Sequence, residues 1–357
     1  ARTLAAVRVG VLATAVLAAL ADRAGRRRLL VATSIAGCVV TALGAAAPNI
    51  VVLGVSQTIA RGLTTTLVVL IAIVTVEEMP RGNRAYAASL MAMASALGSG
   101  TCVWLLPLAD LGERAWRLLY LAPLVYLLLV RAVGRHLPES KRFEAPHPEA
   151  PVAGHGRRFW LLAASGFLLA VFATPASQLL AEFLRDERGF SASRLALFVL
   201  LTNTPAGLGI VLGGWIADRR GRRVVAAAGI VIGTLLVVAR FGVTGWPMWV
   251  LAIAASMGAA MVVPALRVYP GELFPTSLRG GAGGLLEVVA LVGSVAGLLV
   301  VGSLLDGGTS YGATFAILAA APLAVALLII ALFPETARRE LEDLNPEDRT
   351  AAATDTS

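Results

Sequence analysis

Three ionisable residues stand where the chain is otherwise apolar, and their chemistry is that of recognition. Arg61 falls near the middle of an apolar run at 50–75, with Gln57, Thr64 and Thr65 at i−4, i+3 and i+4, so one helix face carries four polar side chains. A guanidinium fork on such a face suits a carboxylate, phosphate or sulfate in a cavity, or a carboxylate on another helix. Arg267 lies near the end of the run 246–269, close enough to the rim for its head group to reach out. Glu287 lies six residues into the run 281–304, where it either carries a coupling proton or pairs with an arginine such as Arg267. Ser177, Gln178 and Asn203 are candidate hydrogen-bonding groups for the same cavity, although hydroxyls in apolar helices often bond only the preceding turn. Ionisable groups inside lipid are costly, which is why these positions point to function.

No catalytic grouping accompanies them. Cys38 and Cys102 lie in apolar runs as small packing residues, and His136, His147 and His155 all fall in one polar linker. No metal-ligand spacing, no other cofactor signature and no phosphate-binding loop is present, so direct nucleotide drive is not expected.

The elements that must position these residues follow from composition. The chain has 357 residues, 57% hydrophobic and 15% charged, with a mean hydropathy of +0.79. Soluble domains carry about 25% charged residues, so lipid is the expected solvent, and a soluble enzyme is excluded. Apolar runs at 4–21, 29–47, 50–75, 85–108, 116–136, 158–181, 195–217, 224–244, 246–269, 281–304 and 312–333 predict spanning helices, about eleven in all, which also excludes a single-anchor receptor. A proline-rich polar stretch at 138–157 predicts a linker, and 335–357 a frayed polar tail. The net charge of +8 comes from 30 basic residues, all arginine except Lys141, clustered between the apolar runs. That clustering indicates membrane orientation, with no nucleic-acid partner.

The chain repeats itself. Asp22, Arg23, Gly25, Arg26 and Arg27 recur 196 residues later as Asp218, Arg219, Gly221, Arg222 and Arg223. Glu77, Pro80 and Arg84 recur as Glu272, Pro275 and Arg279, and Pro138 and Glu139 as Pro334 and Glu335. The repeat predicts a first bundle at 1–137, a linker at 138–157, a second bundle at 158–334 and a tail at 335–357. The run at 158–181 has no counterpart in the first repeat, so the sequence is expected to lack the first of twelve helices. Eighteen Lys or Arg residues on the motif-bearing side, against five opposite, predict that the motifs and the carboxyl terminus face the cytoplasm.

The repeated motif resembles that of the major facilitator superfamily: Gly, three residues, Asp, Arg, any residue, Gly, Arg, Arg. The second repeat matches it as Gly214, Asp218, Arg219, Gly221, Arg222 and Arg223; the first has Ala18 in place of the glycine. The Glu-x-x-Pro-x-x-x-Arg loops and the Pro-Glu-Ser-Lys-Arg run at 138–142 resemble its sugar-porter and organic-ion branches. The resemblance implies an all-α membrane protein of two pseudo-symmetric six-helix bundles, here with 11 transmembrane helices. It also implies that Asp22 lies near the start of the helix at 281 and Asp218 near the start of the helix at 85. Together with Arg23, Gly25, Arg26, Arg84, Arg219, Gly221, Arg222 and Arg279, and with Glu77, Glu139, Glu272 and Glu335, these carboxylates would form a cytoplasmic gate. Sugar porters carry a Gly-Pro-x-x-Trp pattern where this chain reads Val263, Pro264, Ala265, Leu266, Arg267, which turns the expectation from a hexose toward a small organic anion or polar metabolite. The expected activity is secondary transport by a monomer in the plasma membrane, coupled to an ion or proton. Drug export, sugar transport, a non-transporting sensor and an inactive truncated product are the alternatives.

Overall fold

The computed structural model describes residues 12–105, 108, 112, 114–137, 139, 140 and 152–349. The start of the run at 4–21, most of the linker with Lys141 and Arg142, and residues 350–357 lie outside them. Among the described residues there are helices and turns and no strand, and eight helical segments are long and apolar enough to cross a bilayer.

The first repeat supplies α1 (Leu12–Ala24), α2 (Arg26–Leu43), α3 (Ile50–Glu78), α4 (Arg84–Leu105) and α5 (Pro123–His136). The second supplies α6 (Gly156–Gln178), α7 (Leu180–Asp186), α8 (Ala192–Asn203), α9 (Ala206–Arg220), α10 (Arg222–Gly242), α11 (Trp246–Leu273), α12 (Arg279–Asp306), α13 (Tyr311–Leu318) and α14 (Ala320–Leu332), followed by the short α15 (Leu341–Leu344). Side-chain caps start several of them: Asn49 accepts from the Val52 amide at 2.9 Å, and Ser191 and Ser310 cap α8 and α13. Three expected single runs are each divided between two helices. Pro205 and Pro322 lie next to two of the divisions, where the missing N–H removes a rung of the helical ladder, while Pro175 lies inside α6, before the third division at Leu179.

Helices α1 and α12 pack together, as do α4 and α9, and these two seams join the repeats. Large apolar side chains such as Val16, Leu128, Trp160, Leu208, Trp246 and Leu327 face outward, as lipid contact requires. The buried core forms two main bodies. One, with Val268, Tyr269, Phe274 and Phe333, lies at the end bearing the motifs; the other is an aromatic cluster of Phe183, Phe198, Phe241 and Phe315 around α7 and α13. Phe241 and Phe315 stack with ring centroids 4.4 Å apart.

Candidate functional site: a charged network beneath an apolar cavity

The motif glycines make the connections tight. Gly25 and Gly221 have φ of 100° and 103°, a region strained for any residue with a Cβ, and each joins two helices with no further loop. The turns place Asp22 and Asp218 at the amino ends of helices from the other repeat. Asp22 accepts from the amides of Gly280 and Gly281, both at 3.0 Å, and Asp218 from those of Ala85 and Tyr86 at 3.2 and 2.8 Å. Carboxylates there are favoured by unpaired N–H groups and by the helix dipole. Arg26 and Arg222, one turn further along, bridge back to Asp22 and Asp218 at 3.2 Å each.

A buried ion network lies beside each seam. Glu77 takes Arg26 at 3.3 Å, Arg279 at 3.2 Å and the Ser140 hydroxyl at 2.6 Å. Glu272 takes Arg84 at 3.3 Å and also Arg222, which donates to the Thr336 hydroxyl at 3.0 Å. All four arginines are at most 1% exposed. Ser140 and Thr336 stand at equivalent positions of the repeat, Ser140 within the Pro-Glu-Ser-Lys-Arg run, but their spacing does not mark either hydroxyl as a partner of the network.

Glu139 and Glu335 act differently from the arginine pairing expected. Their carboxylates take backbone amides: Arg27 N to Glu139 at 2.9 Å, and Arg222 N and Arg223 N to Glu335 at 3.0 and 3.2 Å. They cap α2 and α10. Arg23 and Arg219 stay exposed, the latter 3.9 Å above the Trp215 ring.

The segment after Pro334 is packed where a frayed tail was expected. Leu341 and Leu344 are buried, Glu340 pairs with Arg81 at 3.3 Å, and Asp348 pairs with Arg279 at 3.1 Å and accepts from Thr276 N. Asn345 donates to the Glu272 carbonyl at 2.8 Å, while Arg158 holds the carbonyls of Leu273 and Leu344 and the Asn345 side chain.

Ala18 in place of a motif glycine is explained across the seam. A Cβ on Gly214 would sit 2.5 Å from the Ala85 carbonyl and 2.8 Å from Ser89. At the equivalent contact the small residues are on the opposite helix: Gly280 lies against the Ala18 carbonyl, and Gly284 would place a Cβ 2.6 Å from Ala15 Cα. The close approach is kept, with the glycines moved from α1 to α12.

Burial pushes the Asp22 carboxyl from its ordinary 3.8 up to about 6, against the opposing pull of Arg26 and the two amides. Between those values the folded chain holds a proton that the unfolded chain has released, so this group's contribution to stability falls as pH rises through the window. Lowering the pH from about 7 to about 4 should therefore stabilise wild type relative to Asp22→Asn by at most about 3 kcal/mol, measured as thermal midpoints in detergent. A pH-independent difference between the two would place the carboxyl at its ordinary value.

Above the network, α3, α6, α11 and α12 enclose a cavity of about 490 Å³ whose floor includes Arg279. Its walls are aliphatic, with Val69, Ile73, Leu169 and Leu286, and the Phe333 ring also lines it. Arg267 and Glu287 both line it and meet at 3.4 Å, with side chains 48% and 33% exposed. Ser165 and Thr174 add hydroxyls from α6, and Thr174 donates to Ser294 on α12 at 2.9 Å.

The other candidates are dispersed. Arg61 and Thr65 precede Val69 by eight and four residues, on the same face of α3 and, for Arg61, about 12 Å along the axis. Arg61 is exposed and makes no described ion pair or hydrogen bond through its guanidinium. Ser177 and Gln178 continue the cavity face of α6 past Thr174, and the Ser177 hydroxyl bonds back to the Thr174 carbonyl at 3.0 Å. Thr64 bonds back to Ala60, Gln57 packs against Gly44, and Asn203 is exposed at the end of α8; none of these three lines the cavity.

The sequence profile of the family described as "Major Facilitator Superfamily" matches residues 3–204 and, a second time, 162–355. A gentisate transporter of Corynebacterium glutamicum is 28% identical over 338 residues, covering 88% of this chain and 74% of that protein. A gallate transporter of Pseudomonas putida is 27% identical over 301 residues, covering 71% and 65%, so the chain spans about two thirds to three quarters of these relatives' lengths. Among solved structures, the proton:xylose symporter XylE bound to 6-bromo-6-deoxy-D-glucose superposes with a TM-score of 0.81 at 17% identity, over 96% of this chain and 88% of that one, a likeness of fold.

Proposed function

The chain belongs to the Major Facilitator Superfamily, and from that premise we propose that it is a secondary transporter of small organic anions working by alternating access. The observation that carries this reading is the Arg267–Glu287 pair inside an aliphatic cavity between α3 of the first repeat and α6, α11 and α12 of the second. A cation set among aliphatic walls and one aromatic ring suits a carboxylate carried on a compact apolar body. The relatives named as gentisate and gallate transporters support the same class, since both compounds are aromatic carboxylates.

In this reading the motif end is cytoplasmic, and the two bundles, 1–137 and 158–334, rock against each other about the cavity. The paired carboxylate caps, the buried arginines and the docked segment after Pro334 form the gate that opens in each cycle. The protein acts as a monomer in the plasma membrane, with eleven spans in this chain and a proton as the coupling ion. Arg61, further along the cavity face of α3, is a second station for the anion on its way through.

Uptake of labelled gentisate by vesicles containing the full chain tests the proposal. Arg267→Ala should lower uptake about 10- to 100-fold, the loss expected when a charge-assisted hydrogen bond to the solute is removed. Arg61→Ala should give a smaller loss. Uptake undiminished in Arg267→Ala would remove the anion site from this cavity.

A further inference from the structure

The Arg267–Glu287 pair differs from every other embedded ion pair described above. Those of the network are buried, multiply bonded and held by backbone groups; this one is a single contact at 3.4 Å, open on the cavity side. Its environment is otherwise poor in charge. Of the helices packed against α12, α11 presents Arg267, while α6 and α3 present Ser165, Thr174 and aliphatic side chains to the cavity. The carboxylate of α1 that reaches α12, Asp22, is engaged by the amides of Gly280 and Gly281. Arg279, on the cavity floor, is engaged by Glu77 and Asp348. Among the described cavity-lining residues, Arg267 and Glu287 are therefore the ionisable groups without a further described partner.

We propose that Arg267 and Glu287 form an exchangeable pair in which the carboxylate of the transported anion displaces Glu287 from Arg267 and the freed Glu287 takes up the coupling proton. This inference rests on the organic-anion reading and deepens it by assigning the coupling step to a named pair. An ion pair this exposed is weak, so a carboxylate of similar basicity entering the cavity can replace one partner without a large barrier. Once the cavity closes, the released Glu287 would be an unpaired carboxylate in a low-dielectric enclosure, the arrangement that protonation relieves. The balance is simple. One O–H bond forms on a Glu287 oxygen, the guanidinium stays charged throughout, and one proton and one carboxylate enter together; on release both leave and the original pair re-forms. For a monoanion the loaded and empty carriers have the same net charge, so transport is electroneutral. Neither partner alone would give this coupling: a lone arginine binds the anion without a proton, and a lone glutamate repels it.

The test uses the full chain, with gentisate as the probe. In detergent, wild type should take up about one proton per gentisate bound, read with a pH dye in weakly buffered solution. In vesicles it should accumulate gentisate down an inward proton gradient and be insensitive to an imposed membrane potential. Glu287→Gln should bind gentisate without proton uptake and lose at least about tenfold in gradient-driven accumulation. The double variant Arg267→Gln with Glu287→Gln, which preserves net charge, should lose exchange as well. Proton uptake and accumulation by Glu287→Gln equal to wild type would overturn the proposal, as would gentisate binding unaccompanied by proton uptake in wild type. Failure of wild type to bind or exchange either gentisate or gallate would instead overturn the anion reading itself, and the pair's role with it.

Discussion

Glu77→Ala should destabilise the folded chain by about 3–5 kcal/mol, the cost of breaking a buried ion pair from one side. The carboxylate lies between the guanidinium groups of Arg26 and Arg279, at 3.3 and 3.2 Å, and both arginines are at most 1% exposed. Without it the two cations keep other contacts, Arg26 to Asp22 and the Thr276 carbonyl and Arg279 to Asp348, but lose the buried carboxylate that lies between them. Glu77→Gln retains the shape and an acceptor for Ser140, so its loss should be smaller. Arg23→Ala removes an exposed cation of the same motif and should stay within about 0.5 kcal/mol of wild type. Thermal midpoints in detergent rank the variants; a Glu77→Ala midpoint equal to that of Arg23→Ala would show that the buried network contributes no more than surface charge.

Gly280→Val is the second large effect. The added side chain has nowhere to go: it meets the Ala18 carbonyl on one side and both Asp22 carboxylate oxygens at 2.8 Å on the other. Because the first obstacle is backbone, relief requires α1 and α12 to move apart, and that motion also pulls Asp22 off the amides it caps. A loss of about 3 kcal/mol or more is expected, at the upper end of overpacking effects because it combines with loss of the cap. Gly214→Val should act in the same way through Ala85 and Ser89 at the opposite seam. Ala18→Gly, which adds room where none is needed, should cost no more than about 1 kcal/mol. If valine at 280 were tolerated as well as glycine at 18, the seam would be looser than the geometry shows.

The repeat made much of this arrangement legible before any coordinates. A nearly constant offset, 196 residues from Asp22 to Asp218 and 195 from Glu77 to Glu272, ties the two halves together, because the motif's turn glycines and charges have to stay together to work at all. The family resemblance then supplied the cross-pairing to the helices at 281 and 85, where the carboxylates are found. The apolar runs located the helices but not their interruptions at Leu179, beside Pro205 and beside Pro322, since a hydropathy pattern continues smoothly across a broken ladder. Pairing across the cavity was left open as well. Arg267 and Glu287 are twenty residues apart on different helices, and nothing in their spacing distinguishes a partner from a bystander. The glycine exchange between α1 and α12 was hidden for a similar reason: a motif records one side of a contact, while close approach depends on both. Least legible was the segment after Pro334. Its polar composition reads as solvated chain, and its buried apolar positions, Leu341 and Leu344, are too few to form a periodic pattern.

That segment also fixes an order of assembly during synthesis. Asn345 and Asp348 are the last-made residues of the ion network, yet they hold the Glu272 carbonyl, Arg279 and the Thr276 backbone, all made earlier. Chains emerge from the ribosome amino end first, and early segments organise before late ones. The helices can therefore insert and pair while the charged face at their motif end is still unfinished. Only once Asp348 has emerged can it reach Arg279, so this charged face is completed after the helices that carry it.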